Sequence, residues 1–508
     1  MRERATLPLW AAILIAAAAG PVMDAGFPDR DLWPLTFVGI GLFLVAFRGR
    51  SFWGAFITGL VGGLSFYLVH IQWASLFLGP VPMVALATLE SLFFAVGASL
   101  IALAYRVVPK TWQSTAGSLA LLPIIVAGLW TAREAIASVW PYGGFAWGRV
   151  ALSQSEGPFA ELFSWIGISG VSFVMVALVA LTIEVTRVAE PAALTRATVV
   201  LGTATALIVV PLWPATGTES MTVAAVQGAG KAGYFDKRDR GDILKSQVDA
   251  TVPLFGTDVD VVVWPEGGTD ISPLESEYAA GVFDYITREM DAPLISGAIT
   301  ARDDAYFNTS LYWQEGQGAT DLYDKKHPIP FGEYVPDRAF WRPFAPDLID
   351  LIGREYTPGT TDTVFDVNGV LVGVNICFDI SDDQILTESV EEGAHIIFAQ
   401  SNNADFGRTD ESVQQLAIAR IRAIELGRTV VNISTVGTSA IISPSGETID
   451  ELEWYVPGAM VQSVPLETHL TPAVVLGRQF EWLVAGLGLG GVAVAFVASR
   501  SARVRRRG

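Results

Sequence analysis

The chain has 508 residues, 51% of them hydrophobic, and carries 33 Lys+Arg against 52 Asp+Glu for a net charge of −19. Such an acid surplus argues against a nucleic-acid partner held by a basic surface, and a single cysteine excludes an internal disulfide framework. The acid is concentrated: residues 214–478 hold 17 Lys+Arg against 41 Asp+Glu, while the remainder is net positive.

A bilayer-spanning helix needs about 20 apolar residues, and stretches of that kind fall near 7–23, 32–47, 52–73, 81–105, 116–132, 165–183, 195–213 and 480–499. They predict eight transmembrane helices: a bundle of seven over residues 1–213, a soluble domain over 214–478, and an eighth helix with a basic tail over 479–508. The first stretch also reads as a cleaved signal peptide, with a basic start and an Ala-rich end. Arg2 and Arg4, Arg48 and Arg50, Arg106 and Lys110, Arg187 and Arg196, and Arg503, Arg505, Arg506 and Arg507 fall in alternate loops that share one side of these spans, while Asp24, Asp29 and Asp31 fall opposite. Basic loops mark the cytoplasmic side. Both termini are then expected in the cytoplasm, with the large domain outside it.

Within the bundle, Glu90 reads either as a functional intramembrane carboxylate or as an inward-facing, hydrogen-bonded one. The pair Arg133-Glu134 reads as a helix-end ion pair. The aromatic loop Trp140 to Ser164 reads as an interfacial belt or the mouth of a lipid-accessible site.

The soluble part opens on a strand, Thr222 to Gly228, followed by an amphipathic helix over Asp242 to Leu254. The β-branched run Val259 to Trp264 suits a sheet covered on both faces, and it stops at Pro265-Glu266. A helix over Leu274 to Met290 precedes strands over Pro293 to Thr300, Phe307 to Gln314 and Asp321 to His327. The segment from Asp337 to Thr357 is too broken for a strand and too apolar for a solvated loop. Its Phe340, Trp341, Phe344 and Leu348 suit either a mobile arm that dips into lipid or a satellite cluster on the domain. Asn368-Gly369 is a strong hairpin signal between Thr363 to Val367 and Val370 to Cys377. Helices over Asp382 to Glu392 and Asp410 to Gly427 then alternate with strands over His395 to Gln400 and Thr429 to Ser434, and a last hairpin closes around Pro444 to Gly446. Interleaved strands and helices predict an α/β layered sandwich.

Three predicted strand ends carry Glu266, Lys325 and Cys377. Taken singly these are a loop carboxylate, a surface lysine and an inert buried thiol. Taken together they suit acyl transfer: a carboxylate to deprotonate the thiol, and an ammonium to lower the thiol pKa and stabilise an oxyanion. The histidines His70, His327, His395 and His469 have no metal-ligand spacing, and neither a metal nor a cofactor is called for.

Residues 258–450 resemble the nitrilase superfamily, through Trp264-Pro-Glu266, Lys325 with His327 two residues on, Phe331-Gly-Glu333 and Asn375-Ile-Cys377. With the flanking spans, the motifs 327–336, 401–407 and 419–428 make nearly the whole chain similar to the apolipoprotein N-acyltransferase branch. The resemblance implies a nitrilase-like α-β-β-α sandwich with Cys377 as nucleophile, Glu266 as general base, Lys325 as oxyanion stabiliser and Glu333 as supporting carboxylate. It also implies a bacterial plasma membrane location, a membrane phospholipid as acyl donor and a diacylglyceryl-modified apolipoprotein as acceptor. Where the family commonly has Tyr-Glu after the cysteine, this chain has Phe378-Asp379, and near the entry it has Tyr234 and Phe235 in place of a tryptophan. A membrane-tethered amidase using water as acceptor, and a non-catalytic receptor or transporter, are the rival readings.

Overall fold

The computed structural model describes residues 7–187 and 193–505. Arg2, Arg4, Arg506 and Arg507 lie outside these residues, as do the side chains of Arg503 and Arg505. The chain forms two compact units. One comprises Met1–Ser75, Gly79–Leu212 and Leu476–Gly508; the other comprises Leu76–Leu78 and Trp213–Val475.

The first unit is helical. Phe52–His70, Pro80–Thr111, Gly117–Ala137, Ala160–Arg187 and Arg478–Ser501 are long and apolar enough to cross a membrane, whereas Leu9–Asp24, Pro34–Phe47 and Thr195–Ile208 are apolar but shorter. The 16 residues of Leu9–Asp24 rise about 24 Å against a hydrocarbon thickness of about 30 Å. Small residues let these helices approach without the help of a hydrophobic effect. A methyl added at Gly59 would stand 2.6 Å from the Ala98 Cβ, so the helix carrying Gly59 meets the next long helix at backbone contact.

Arg133 and Glu134 form the ion pair expected near the end of the helix Leu122–Ala137, and both are buried there. Arg133 Nη2 and the Trp130 indole N–H approach Glu134 Oε1 at 3.0 and 2.8 Å, and the Val150 backbone N–H reaches the same oxygen at 3.2 Å. Glu90 is the inward-facing, hydrogen-bonded carboxylate, taking a hydrogen bond from the Tyr67 hydroxyl. The loop from Trp140 to Ser164 is only partly a surface belt: Trp140 is exposed, but Trp147 and Phe159 are buried and Val150–Gln154 turns inward. Arg48, read from sequence as a loop charge, is buried against Glu184 and over the Tyr105 ring.

The second unit is built on two six-stranded sheets. Its strands are β1 (Ser220–Gln227), β2 (Val261–Val263), β3 (Leu294–Arg302), β4 (Ala305–Gln314), β5 (Gly318–Asp324), β6 (Val364–Val367), β7 (Val370–Ile376), β8 (Ile396–Ser401), β9 (Thr429–Ser434), β10 (Ala440–Ile442), β11 (Thr448–Glu451) and β12 (Gly458–Pro465). The strand orders are β12-β1-β2-β3-β4-β5 and β11-β10-β9-β8-β7-β6. Each sheet has a parallel centre, β1-β2-β3 in one and β7-β8-β9 in the other, with antiparallel edges. The inner faces meet through Val223, Val261, Val263, Val372, Val374, Phe398 and Val431, all fully buried. Helices Asp242–Thr251 and Glu277–Met290 cover the outer face of the first sheet, through residues such as Leu244, Phe283 and Ile286 against Val262 and Trp264. Asp383–Glu391 and Asp410–Leu426 pack against β7 and β9 of the second sheet. The layer order is α-β-β-α.

Candidate active site

Each parallel strand ends at the same rim of the sandwich, and sequence chemistry decides where. β2 stops after Val263 because Pro265 has no N–H to continue the ladder. Trp264 is fully buried, with its indole donating to Thr251 Oγ1 at 3.1 Å, so the following turn starts from a fixed point. Gly297 on β3 lies against that turn; a Cβ there would meet the Glu266 Cα at 2.7 Å. Glu266 is therefore delivered by close backbone packing.

β5 ends at Asp324, one residue short of Lys325 and earlier than the strand read to His327. Side chains alternate along a strand, so Tyr323 and Lys325 both face the second sheet. The Lys325 ammonium is buried, 2.8 Å from Glu333 Oε2 and 3.6 Å from Glu266 Oε1. These are ion-pair contacts without well-directed hydrogen bonds from Nζ, which leaves the ammonium protons available to a further acceptor. Asn308 on β4 binds both carboxylates, donating to Glu266 Oε1 at 2.7 Å and to Glu333 Oε1 at 3.0 Å. Glu333 also accepts from the Ile329 backbone N–H at 2.7 Å, and Glu266 from that of Asn402.

Cys377 follows β7 directly with φ at +52°, a left-handed conformation that costs a non-glycine residue roughly 1–2 kcal/mol. The surrounding structure enforces it. Asp379, fully buried, accepts from the Ile376 N–H at 3.2 Å, the His327 N–H at 3.1 Å and the Tyr323 hydroxyl at 2.8 Å. Arg422 holds the same turn from behind, donating to the carbonyls of Ile380 and Ser381 at 2.9 Å each. The shorter carboxylate of Phe378-Asp379 thus ties the cysteine turn to the lysine strand, while Phe378 is half-buried.

Burial pushes the Cys377 thiol well above its ordinary pKa, and the Glu266 charge adds to this while Lys325 opposes it. Burial also raises Glu266, against the pull of Lys325. Burial alone would lower Lys325, but Glu333 and Glu266 hold it well above the usual lysine range. The resting combination is a thiol, a carboxylate of heightened basicity and a fixed ammonium. Such a set is chemically able to accept a thiol proton and to stabilise an oxyanion. Cys377 lies within electrostatic reach of Glu266, Lys325, Glu333 and Glu411.

The arm residues form two short helices, Arg338–Trp341 and Pro346–Ile349. Val335, Ile349 and Ile352 make a small core with Phe331 and Trp341 packed on it, so the arm adjoins the loop bearing Glu333. Phe340 and Phe344 are exposed and Leu348 is half-buried, which divides the segment between the two readings taken from sequence. Tyr234 and Phe235 meet edge-to-face, and Phe77 contacts both, edge-on to Tyr234 and tilted against Phe235. Sequence reasoning missed Asn308, Tyr323, Arg422 and Glu411. A lone amide inside the aromatic run of β4 was the available signal for the first.

The carbon-nitrogen hydrolase family model matches residues 222–469, and that of the apolipoprotein N-acyltransferase N-terminal domain matches residues 19–181. An apolipoprotein N-acyltransferase of Mycolicibacterium smegmatis is 32% identical over 97% of this chain and 85% of its own length. The chain belongs to the apolipoprotein N-acyltransferase family. Another apolipoprotein N-acyltransferase, from Azotobacter vinelandii, is 29% identical over 95% of this chain and 94% of its own. Among solved structures, an amidase of the nitrilase superfamily from Nesterenkonia AN1 aligns with 53% of this chain and 97% of its own at 15% identity and a TM-score of 0.39. Membership in the apolipoprotein N-acyltransferase family makes the chain an acyltransferase with membrane character, which removes the non-catalytic receptor and transporter readings.

Proposed function

We propose that this acyltransferase modifies lipoproteins in two half-reactions at Cys377. Glu266 takes the thiol proton as sulfur attacks an ester carbonyl of a membrane phospholipid, and Lys325 stabilises the oxyanion. The ester C–O bond breaks, the proton passes from Glu266 to the leaving glycerol oxygen, and a lysophospholipid departs. The α-amine of a diacylglyceryl-modified N-terminal cysteine then attacks the thioester, transferring one proton through Glu266 to the sulfur and releasing the enzyme. The observation that carries this reading is the buried Glu266–Lys325–Glu333 cluster beside a cysteine held at positive φ.

The remaining layout follows from the sequence. Eight apolar helices anchor the enzyme in a bacterial plasma membrane with both termini cytoplasmic, and the sandwich of residues 214–478 stands outside. Donor and acceptor are both anchored lipids, so a site beside the bilayer reduces their encounter to orientation within a plane. The exposed Phe340 and Phe344 support the arm as its lipid-facing edge. Excluding water favours the amine over hydrolysis.

Mass spectrometry of the purified protein with phospholipid tests the proposal. The expected result is a mass gain of one fatty acyl group on Cys377, discharged by a diacylated lipopeptide and missing in Cys377→Ser. An acyl group discharged equally fast by water alone would favour the tethered hydrolase.

A further inference from the structure

The sandwich carries few exposed cations, and those on the arm are already engaged. Arg338 pairs with Glu355 at 2.6 Å and Arg342 with Asp350 at 2.8 Å. Arg354 is different. Its side chain is exposed, and among the described residues no carboxylate lies within ion-pair distance of it. Two tyrosines fix it instead: the guanidinium carbon stands 5.1 Å from the centre of the Tyr306 ring, and the group hydrogen-bonds to the Tyr356 hydroxyl.

Both tyrosines belong to the wall of the triad. Tyr306 and Asn308 project from the same face of β4, about 7 Å apart along the strand, and Asn308 is the amide that grips Glu266 and Glu333. Tyr306 and Tyr356 are joined by a backbone bridge, and the Tyr356 N–H donates to the Glu333 carbonyl at 2.9 Å. The Tyr356 phenol lies within electrostatic reach of both glutamates. The unpaired guanidinium is therefore tied, through these two tyrosines, to the strand that carries Asn308 and the loop that carries Glu333.

We propose that Arg354 binds the phosphodiester of the acyl-donor phospholipid and so sets the glycerol ester over Cys377; this rests on the acyl-transfer reading above. An anion approaching a domain of net charge −24 is repelled unless a cation waits at the site. A planar guanidinium offers two parallel N–H groups to phosphate oxygens in a way a lysine does not. Phosphate and scissile ester are separated by one glycerol unit, so a group that holds the phosphate constrains where the ester lies. The diacylglyceryl acceptor has no phosphate and presents an amine, so Arg354 serves the donor half alone. In that half the phosphate is held and chemically unchanged.

The test uses the full chain and Arg354→Gln, with phosphatidylglycerol vesicles as one donor and p-nitrophenyl butyrate, an ester without phosphate, as the other. Acylation of Cys377 is followed by mass, and preformed acyl-enzyme is discharged with a diacylated lipopeptide as a second reference. Loss of charge-assisted hydrogen bonds is expected to lower the ratio of phospholipid to p-nitrophenyl-ester acylation by roughly tenfold or more, with Arg354→Lys between the two proteins. An unchanged ratio, whether both rates fall together or neither falls, overturns the assignment. Wild-type protein that gains no acyl group from phospholipid overturns the acyl-transfer reading itself, an outcome visible before any variant is compared.

Discussion

Replacing Lys325 by methionine keeps an unbranched, buried side chain, one atom shorter, and removes the ammonium charge with its N–H donors. Nζ lies 3.6 Å from Glu266 Oε1 and 2.8 Å from Glu333 Oε2. At an effective dielectric of about 20, the longer contact alone corresponds to about 4–5 kcal/mol of Coulomb energy. Taking one partner from a buried ion pair costs about 3–5 kcal/mol of stability, and proton uptake by a glutamate offsets part of this. The rate of Cys377 acylation should fall by about 100- to 1000-fold, the usual cost of an oxyanion donor. The pH dependence has a definite sign. Glu266 works ionised; Lys325 lowers its pKa against the effect of burial; so removing the ammonium moves the acid limb of the acylation rate to higher pH. The assay is the initial rate of acyl mass gain across pH, with thermal melting in parallel. A near-wild-type rate, or an acid limb that stays in place or moves down, would refute the electrostatic role of Lys325.

Two further outcomes follow from the site. Glu411 is buried with a hydrogen bond from Asn403 at 2.9 Å, and burial pushes its pKa up to about 8. The folded state then holds a proton that the unfolded chain releases at lower pH, so stability falls as pH rises from the ordinary glutamate range toward 8. Glu411→Gln should melt higher than wild type at pH 9 and show faster Cys377 alkylation there, because a charge that opposes the thiolate is gone; equal melting and alkylation would contradict this. Phe344→Asp with Leu348→Asp should slow discharge by a membrane-anchored lipopeptide while leaving alkylation by a small soluble thiol reagent unchanged. Full discharge activity would remove the arm from the mechanism.

Local signals located most of the sandwich. Asn368-Gly369 forms the tight hairpin its dipeptide predicts, with φ of +54° and +90°. The helix expected from Leu274 starts at Glu277, because the Ser276 hydroxyl caps it by accepting from the Ala279 N–H. β12 was not read from sequence, since a strand of mixed polarity is defined by its partner; it pairs antiparallel with β1 across the chain. The candidate site was legible at the three strand ends, where residue type and strand termination coincide. Asn308 and Tyr323 were not, because their importance arises from neighbours far along the chain. In the helical unit hydropathy located the apolar helices, five of them among the described residues long enough to cross a membrane, but it said nothing of pairing, so the burial of Arg48 and Arg133 was not legible.

The bonds converging on Asp379 bear on how the protein tolerates its own thermal motion. Two stacked sheets slide over one another more easily than either stretches, and Cys377 belongs to one while Lys325 belongs to the other. By gripping the Tyr323 phenol and the His327 amide from the turn that carries the sulfur, this carboxylate acts as a rivet through both layers. Slippage of the sandwich then carries sulfur and ammonium along together, and their separation is insulated from the softest mode of the fold.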